Sequence, residues 1–300
     1  MEINQTKPFM HSILKAIKPL MVILSFSTIY GCTSPAQNAD AAKEEWVQLY
    51  NGKDMTGWTP KIAGYPVGEN YNNTFRIIEG NLSSSYDDYS EFTNEYGHLF
   101  YKEKYSHYRL KARYRFVGDQ VKGGAGWAFR NNGLMLHSQS IESMGLKQSF
   151  PISLEMQLLG GSGEGERSTG NLCTPGSNVI LDGEFFTPHC VNSTSKTYHG
   201  DQWVNVEAIV LGDSIVHHVV EGDTVLTFTK PTMGGTLDFA DPAILIDGKS
   251  IGEGYITIQA ESHPTQFASI ELLDLCGCKD PKAKNYKSYY IKDDRSKCKY

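Results

Sequence analysis

Residues 108–116 read YRLKARYRF, and this stretch decides the fold class of the chain. Apolar and charged residues alternate in it without a break, so that Leu110 and Ala112 point to one side while Arg109 and Lys111 point to the other. A period of two is that of a β-strand with one buried face and one solvated face. The stretch therefore predicts an antiparallel strand packed against a core on one side only.

Most other segments between residues 46 and 275 have the same character. Examples are WVQLY, FRIIEGNLSSS, SIVHHVVEGDTVLTFTK and ASIELLDL, and turn signals such as Asn51-Gly52 and Asp247-Gly248 separate them. No amphipathic helix of ten residues stands out. Many strands without intervening helices predict an all-β protein, a jelly-roll β-sandwich. Two longer stretches, residues 160–200 and 231–254, are predicted to be irregular loops that form the rim of a site.

The N-terminus has the features of an export signal. Lys15 and Lys18 precede an apolar run that is too short to span a bilayer, which predicts a signal peptide over residues 1–31. The run ends in Ile29-Tyr30-Gly31-Cys32, which resembles a bacterial lipobox, so Cys32 is predicted to carry the lipid of a membrane lipoprotein. We therefore expect a lipid-anchored protein of the cell envelope, on its periplasmic or outer side.

The rest of the chain divides into three parts. Residues 32–44 are rich in Ala, Asn, Ser and Asp and predict a flexible tether. Residues 45–275 hold the strand-like segments and predict the catalytic jelly roll. Residues 276–300 are rich in Lys, Tyr and Asp and predict a short Cys-bounded appendix.

Charge and cysteine use agree with an exported protein that does not bind nucleic acid. The formal net charge is −6 and basic runs are absent from the sequence, which argues against nucleic acid and anionic membrane surfaces as partners. We expect disulfides between Cys173 and Cys190 and between Cys278 and Cys298, with Cys276 left over. A zinc site is disfavoured because Cys276 and Cys278 lack the usual two-residue gap.

Residues 153–159, SLEMQLL, place functional side chains on a strand. Its apolar residues face a core, whereas Glu155 and Gln157 share the other face. Residues 255–261 repeat the theme with Gln259 and Glu261. Carboxylates and amides on neighbouring strands suit the vicinal hydroxyl groups of a sugar, so we expect a carbohydrate-binding groove.

A third segment, residues 130–137, is expected to contribute to the same groove. Arg130 and Asn131 open it, and His137 is its one group that exchanges a proton near neutral pH. The pair His217-His218 is interpreted as structural, because adjacent residues on a strand point to opposite faces. Trp127 and Trp203 are interpreted as core anchors.

Five segments, in order along the chain, resemble a known family. They are NGKDMTGW, SLEMQLLGG, RSTGNLCTPG, KTYHGDQWVNVE and IQAESHPTQFASIEL, and they are similar to signature segments of the bacterial 3-keto-disaccharide hydrolase domain family, also described as 3-keto-glucoside 1,2-lyases or 3-keto-2-hydroxy-glucal hydratases. The resemblance implies a concanavalin-like jelly roll with keto-sugar chemistry on its concave face. The segment after residue 276 is similar to a Cys-bounded module on exported proteins of Bacteroidota.

This resemblance implies elimination across C1 and C2 of a 3-keto-glucoside, followed by hydration. We expect Glu155 or His137 as base and Glu261 or His263 as acid. The substrate is expected to be held by the following residues: Arg130, Asn131, Gln157, Gln259 and His263. A divalent metal at the enolate oxygen is a further option, with Glu155, His137 and Glu261 as ligands. A separate sugar 3-oxidoreductase has to supply the keto substrate.

Two other functions compete with this hypothesis. A conventional retaining glycosidase on a jelly roll carries a second carboxylate on the strand of its nucleophile, whereas Gln157 and then Gly160 follow Glu155 here. A surface carbohydrate-binding protein without catalysis explains the groove and the lipid anchor equally well. An enzyme and a binding protein respond differently to the replacement of Glu155 by Gln. In an enzyme the substitution abolishes turnover and keeps sugar binding, whereas in a binding protein it has no cost to binding.

Overall fold

The computed structural model describes residues 39–300, whose strands form two antiparallel sheets packed face to face. The predicted signal peptide, the lipidation site Cys32 and the first part of the tether lie outside these residues. The strands are β1 (Val47–Gln48), β2 (Trp58–Ile62), β3 (Phe75–Ile78), β4 (Asn81–Ser84), β5 (Gly97–Tyr105), β6 (His107–Phe116), β7 (Asn131–Ser138), β8 (Leu154–Leu159), β9 (Asn171–Cys173), β10 (Ser177–Leu181), β11 (Glu184–Phe186), β12 (Cys190–Val191), β13 (Val204–Leu211), β14 (Ile215–Val220), β15 (Asp223–Met233), β16 (Gly254–Ala260), β17 (Thr265–Asp274), β18 (Cys276–Gly277) and β19 (Lys292–Asp293).

Helices are few and short. The described residues contain one α-helix, α1 (Ala39–Ala42), and 3₁₀ turns at Tyr71–Asn73, Gly126–Ala128, Ile141–Ser143 and Arg295–Lys297. None of the helices between residues 39 and 300 has the length and apolar character needed to cross a membrane.

The sandwich consists of a ten-stranded and a seven-stranded sheet. The larger has the order β11-β10-β15-β14-β13-β6-β17-β4-β3, and β1 also pairs with β17. The smaller has the order β12-β9-β8-β7-β16-β5-β2. Both are antiparallel throughout, which confirms the prediction of an all-β jelly-roll sandwich.

Alternating side chains build the core between the sheets. On β6 every second residue from Tyr108 to Phe116 is buried, as the alternation predicts, and these side chains pack against the apolar side of the smaller sheet. On β8 that side consists of Leu154, Met156 and Leu158, none of which is accessible to solvent. The polar residues of β8 therefore lie on the outer face of the smaller sheet.

Both edge strands of the smaller sheet offer few backbone groups with which another strand could pair. One edge strand is β2, where Pro60 has no N–H group and its carbonyl accepts from Gly68 N at 2.9 Å. The other is β12, which is two residues long and is joined to β9 through the disulfide between Cys190 and Cys173. Such edges discourage further strand pairing.

The C-terminal residues form a small separate pair of strands. β18 and β19 are parallel, and the predicted disulfide joins Cys278 to Cys298, while Cys276 is a free thiol. Ser288 N donates to the carbonyl of Ala41 at 2.8 Å, so the end of the predicted tether contacts this segment.

The prediction of an irregular stretch over residues 160–200 was wrong. Four short strands, β9 to β12, lie within it, and they extend both sheets at one side of the sandwich. Their brevity hid them from a pattern search, because strands of two to five residues are too short to show a clear period of two.

Replacing Met156 by Ala tests the importance of the core. Met156 is fully buried and pairs with Leu134 and Leu172 across neighbouring strands. We expect the substitution to lower the free energy of unfolding by about 2–5 kcal/mol, because it removes buried apolar atoms and leaves a cavity. Urea denaturation measures this, with Leu146→Ala, at a side chain that is largely exposed, as the control expected to cost below ~1 kcal/mol. Equal costs for the two variants would contradict the assigned packing.

Candidate active site

The outer face of the smaller sheet carries a cavity of about 450 Å³. Asn131, Glu155, Gln157 and Glu261 form its floor, from β7, β8 and the residue that follows β16. The walls come from the surrounding loops and from the ends of β8, β9 and β12, and they consist of Trp127, Phe150, Leu159, Arg167, Cys173, Pro175, His189 and Cys190. The size suits a single sugar ring, and the polar floor with partly apolar walls is typical of small-molecule sites.

A glycine makes room for the central side chains of the floor. Gly133 lies opposite Gln157 in the register of β7 and β8. A Cβ atom at position 133 would lie 2.7 Å from Glu155 Oε1 and 2.9 Å from Gln259 Oε1. These two side chains therefore meet in the space that a side chain at residue 133 would fill. The strands thus bring together the carboxylate and amide pairs that the sequence predicted to share a face.

Glu155 and Glu261 form a buried carboxyl pair. Glu155 is 5% exposed and Glu261 is 2% exposed. Burial raises the pKa of Glu155 to about 8. Burial also raises the pKa of Glu261, and the charge of Glu155 raises it further, whereas Arg167 acts in the opposite direction. Both groups therefore hold protons more strongly at neutral pH than an ordinary glutamate does.

Polar atoms without a protein partner surround this pair. Among the described residues, Asn131 Oδ1, Glu261 Oε2 and both amide atoms of Gln259 are buried and form no hydrogen bond. Gln157 differs, since its Oε1 accepts from Asn171 Nδ2 at 3.1 Å. Buried polar groups are usually satisfied, so this cluster indicates a place where a polar ligand supplies the missing partners.

Arg167 forms hydrogen bonds with the backbone around the cavity wall and interacts electrostatically with Glu261 on the floor. Its Nη1 donates to the carbonyls of Phe129 and Gly160, at 2.5 and 2.7 Å, and its Nη2 donates to Trp127 O at 3.2 Å. The cation thereby fixes the turn that carries Trp127 while its charge reaches Glu261. Sequence reasoning missed Arg167, because no local pattern distinguishes an arginine that binds backbone carbonyls from a solvated one.

His137 does not reach the cavity. On β7 the four residues from Met135 to Ser138 lie opposite only the three from Thr257 to Tyr255 on β16, and His137 has a φ of 51° at this bulge. The bulge turns the imidazole away from Glu155 and towards Tyr108, with the ring centroids 5.5 Å apart. The structure therefore does not assemble His137 with Glu155 as the sequence predicted.

His263 and Arg130 are also held away from the floor. Ser262 has a φ of 85°, which breaks the alternation after Glu261, and His263 is buried with its ring 5.1 Å from that of Phe129. Arg130 donates from Nη2 to Asp201 Oδ1 at 2.9 Å. Neither residue lines the cavity, and the structure does not bring them to Glu155.

Both tryptophans interpreted as core anchors lie elsewhere, so that interpretation was wrong. Trp127 is 55% exposed at the mouth of the cavity, where its ring stacks on that of Tyr96 with a centroid distance of 5.9 Å. Trp203 lies on the outer face of the larger sheet, with Arg115 4.5 Å from its ring centre. His217 and His218 do point to opposite faces, since only His218 is fully buried and packs on Phe228.

His189 is a second residue that sequence reasoning missed. It lines the cavity next to Cys190, and the predicted disulfide between Cys190 and Cys173 is present. Cys173 in turn lies directly opposite Glu155 in the register of β8 and β9. A signal for His189 existed in the sequence, namely its position beside a cysteine predicted to be cross-linked within a long loop.

The hypothesis of a divalent metal requires Glu155, His137 and Glu261 to converge, and the bulge at His137 prevents this. In residues 39–300, one group of three His, Cys, Asp or Glu residues has its ligand atoms within 4.8 Å of one another, namely Cys173, His189 and Cys190. Both of its sulfurs belong to a disulfide and are not thiolates. The expected ligand set does not fit a resident metal, and we assign no chemical step to one.

Two other depressions are less suited to chemistry. One of about 280 Å³ lies on the outer face of the larger sheet, where Lys111 and Arg113 alternate with Glu207 and Glu271. Another, of about 700 Å³, shares Leu159 and Arg167 with the cavity, and hydroxyl-bearing residues such as Ser168, Ser193 and Thr197 form part of its lining. The second depression extends the cavity and provides room for a group attached to a bound sugar.

Residues 45–273 match the model of a family described as the 3-keto-alpha-glucoside-1,2-lyase-like domain. No curated protein matches the sequence.

Solved structures with a similar fold have low sequence identity. A putative glycosyl hydrolase from Parabacteroides distasonis is 13% identical and has a TM-score of 0.44, over 77% of this chain and 99% of its own. A β-glucanase from Bacillus licheniformis is 11% identical with a TM-score of 0.41, over 78% and 99%. The carbohydrate-binding module CBM66 from Bacillus subtilis is 9% identical with a TM-score of 0.39, over 73% and 96%.

The raised pKa of Glu155 predicts how stability depends on pH. Between the ordinary value of 4.5 and about 8, the unfolded chain releases this proton while the folded protein keeps it, so rising pH favours the unfolded state. We expect Glu155→Gln to gain stability relative to the wild type across this window. Chemical denaturation at a series of pH values measures the difference, with Glu69→Gln at an exposed position as control. A pH-independent difference for Glu155→Gln would contradict the assignment.

Proposed function

Because the chain belongs to the 3-keto-alpha-glucoside-1,2-lyase-like domain family, we propose that it cleaves 3-keto-glucosides, including 3-keto-disaccharides, by elimination across C1 and C2 followed by hydration. The observation that carries the proposal is the buried carboxyl pair Glu155 and Glu261 on the floor of an open cavity. The net result of the two steps is hydrolysis of the glycosidic bond.

The chemistry follows from the ketone. A carbonyl at C3 acidifies the proton on C2, so that a base can remove it and the electron pair forms an enolate at the C3 oxygen. The C1–O bond then breaks with protonation of the leaving oxygen, which gives a 1,2-unsaturated ketone. Water adds its oxygen to C1 and a proton returns to C2. Enolate and leaving group each need a proton or hydrogen-bond donor.

Protonated carboxyl groups suit both oxygen positions. Burial raises the pKa of Glu155 to about 8 and also raises the pKa of Glu261, which favours their protonated forms, so one can donate to the C3 oxygen while the other protonates the leaving oxygen at C1. A carboxylic acid held neutral in a buried site is an established way to stabilise an enolate. The same property disfavours the conventional glycosidase, which needs an ionised carboxylate as nucleophile or base.

The remaining groups of the cavity suit the binding of a sugar ring. The partnerless Oδ1 of Asn131 provides an acceptor and the side-chain amide of Gln157 provides a donor for hydroxyl groups, and both residues line the cavity. Gln259 is fully buried and does not line it. The exposed ring of Trp127 provides a surface for the apolar face of a pyranose. The depression beyond Arg167 provides space for the aglycone.

The proposal also places the protein in a reaction sequence. A 3-keto sugar arises by oxidation of the C3 hydroxyl, so a separate sugar 3-oxidoreductase has to act first. With lipid attachment at Cys32, the enzyme would act in the cell envelope.

Cleavage of a 3-keto-glucoside with a chromogenic aglycone tests the function. We expect the full-length chain to release the aglycone from the 3-keto form and not from the unoxidised glucoside. Glu155→Gln is expected to lower kcat at least ~100-fold with little change in KM, because it removes a proton donor to the transition state. Glu69→Gln is the matched control and is expected to behave as wild type. Absence of cleavage with sugar binding retained would overturn the enzyme hypothesis in favour of a binding protein.

Replacing Trp127 by Ala tests the sugar platform. We expect KM for the 3-keto substrate to rise about 3- to 10-fold, because an aromatic stacking contact contributes about 0.5–1.5 kcal/mol. Trp203→Ala removes the same side chain from the opposite sheet and is expected to leave KM unchanged. Steady-state kinetics compares the two, and similar effects from both variants would argue against a platform at Trp127.

A further inference from the structure

His189 stands on the wall of the cavity and is covalently linked, through its neighbour, to the strand beside Glu155. One ring nitrogen of His189 and the two sulfurs of the Cys173–Cys190 disulfide lie within 4.8 Å of one another. Cys173 is the cross-strand neighbour of Glu155. The disulfide therefore connects the loop that carries His189 to the floor of the site.

The backbone of His189 is fixed while its ring remains available. Thr174 donates to His189 O twice, from its backbone N at 2.9 Å and from Oγ1 at 3.2 Å. Among the described residues, no group forms a hydrogen bond with the imidazole ring, and the residue is exposed towards the cavity. The fixed backbone limits where the imidazole can lie, and a ring nitrogen without a protein partner is able to bind a ligand.

The other titratable groups that face the cavity are poorly suited to remove a proton from carbon. Arg167 is cationic and its guanidinium already donates to backbone carbonyls. Burial raises the pKa of Glu155 to about 8 and also raises the pKa of Glu261, so both carboxyl groups release their protons less readily than an ordinary glutamate does. Burial has the opposite effect on His189 and lowers the pKa of its imidazole from the ordinary value of 6.5. Of these four groups, the imidazole is the one that is neutral and able to accept a proton at pH 7.

We propose that His189 is the base that takes the C2 proton of the keto-sugar, and that the Cys173–Cys190 disulfide positions it. This inference rests on the proposed function. The imidazole accepts the C2 proton as the electron pair moves to the C3 oxygen, and a carboxyl group gives its proton to the leaving oxygen. In the hydration step the carboxylate takes a proton from water as its oxygen bonds to C1, and the imidazolium returns its proton to C2. All protons and electron pairs balance.

Exchange of the C2 proton with solvent tests the base separately from elimination. A 3-keto-1,5-anhydroglucitol has no glycosidic leaving group at C1, so in D₂O the enzyme can exchange its C2 proton without releasing an aglycone. We expect the wild type to catalyse this exchange and His189→Gln to lower its rate at least ~100-fold. His217→Gln, on the opposite sheet, is the matched control and is expected to exchange at the wild-type rate.

Cleavage kinetics provide the second measurement. With the chromogenic 3-keto-glucoside, His189→Gln is expected to lower kcat at least ~100-fold and to remove the acidic limb of the pH profile of kcat/KM, and added imidazole should restore part of the activity of His189→Ala. The double variant Cys173→Ser/Cys190→Ser is expected to lose kcat and to keep the circular dichroism spectrum of the fold.

The outcomes separate the two hypotheses. If the wild type neither cleaves nor exchanges, the proposed function is wrong and the role of His189 with it. If the wild type cleaves the keto-sugar while His189→Gln keeps its exchange rate and its acidic limb, the function stands and the assignment of the base is overturned.

Discussion

The exclusion of water from two neighbouring carboxyl groups is the constraint on which the rest of this site depends. An ionised carboxylate loses much of its hydration on burial, and a second one nearby makes the loss greater. Glu155 and Glu261 tolerate this environment by retaining protons, which their raised pKa values express. The same burial that disfavours their ionisation provides the low-polarity surroundings in which a donated hydrogen bond is strong.

The scaffold explains how a sheet surface can be buried on both sides. The inner face of the smaller sheet packs on the apolar face of the larger one, and loops held by Arg167 and by the Cys173–Cys190 disulfide cover its outer face. Gly133 leaves the gap in which the side chains of Glu155 and Gln259 meet. The cavity thus depends on long-range connections between segments that are distant in sequence, and each connection restricts the position of one wall.

Strand periodicity was sufficient to predict the fold class and half of the site. The alternation over residues 108–116 and around Glu155 and Glu261 appears in the structure as expected, because a period of two is a local property of the backbone. The same rule placed the side chains of His137 and His263 wrongly. A bulge at His137 and the positive φ of Ser262 each shift the phase of the alternation. Arg167 and His189 could not be located from periodicity, because they lie on loops whose positions depend on tertiary hydrogen bonds and a cross-link. The family segments indicated the chemistry, whereas the wall residues emerged only from the fold.

The edges of the smaller sheet have a consequence for how the protein behaves among copies of itself. A strand with free N–H and C=O groups at an edge is a template on which a second chain can add, and growth of that kind ends in aggregates. Here Pro60 interrupts the donors of β2, and β12 ends after two residues under a covalent bond to β9. The face that carries the cavity therefore belongs to a sheet that neighbouring molecules cannot readily extend, which keeps the mouth of the cavity open even at high protein concentration.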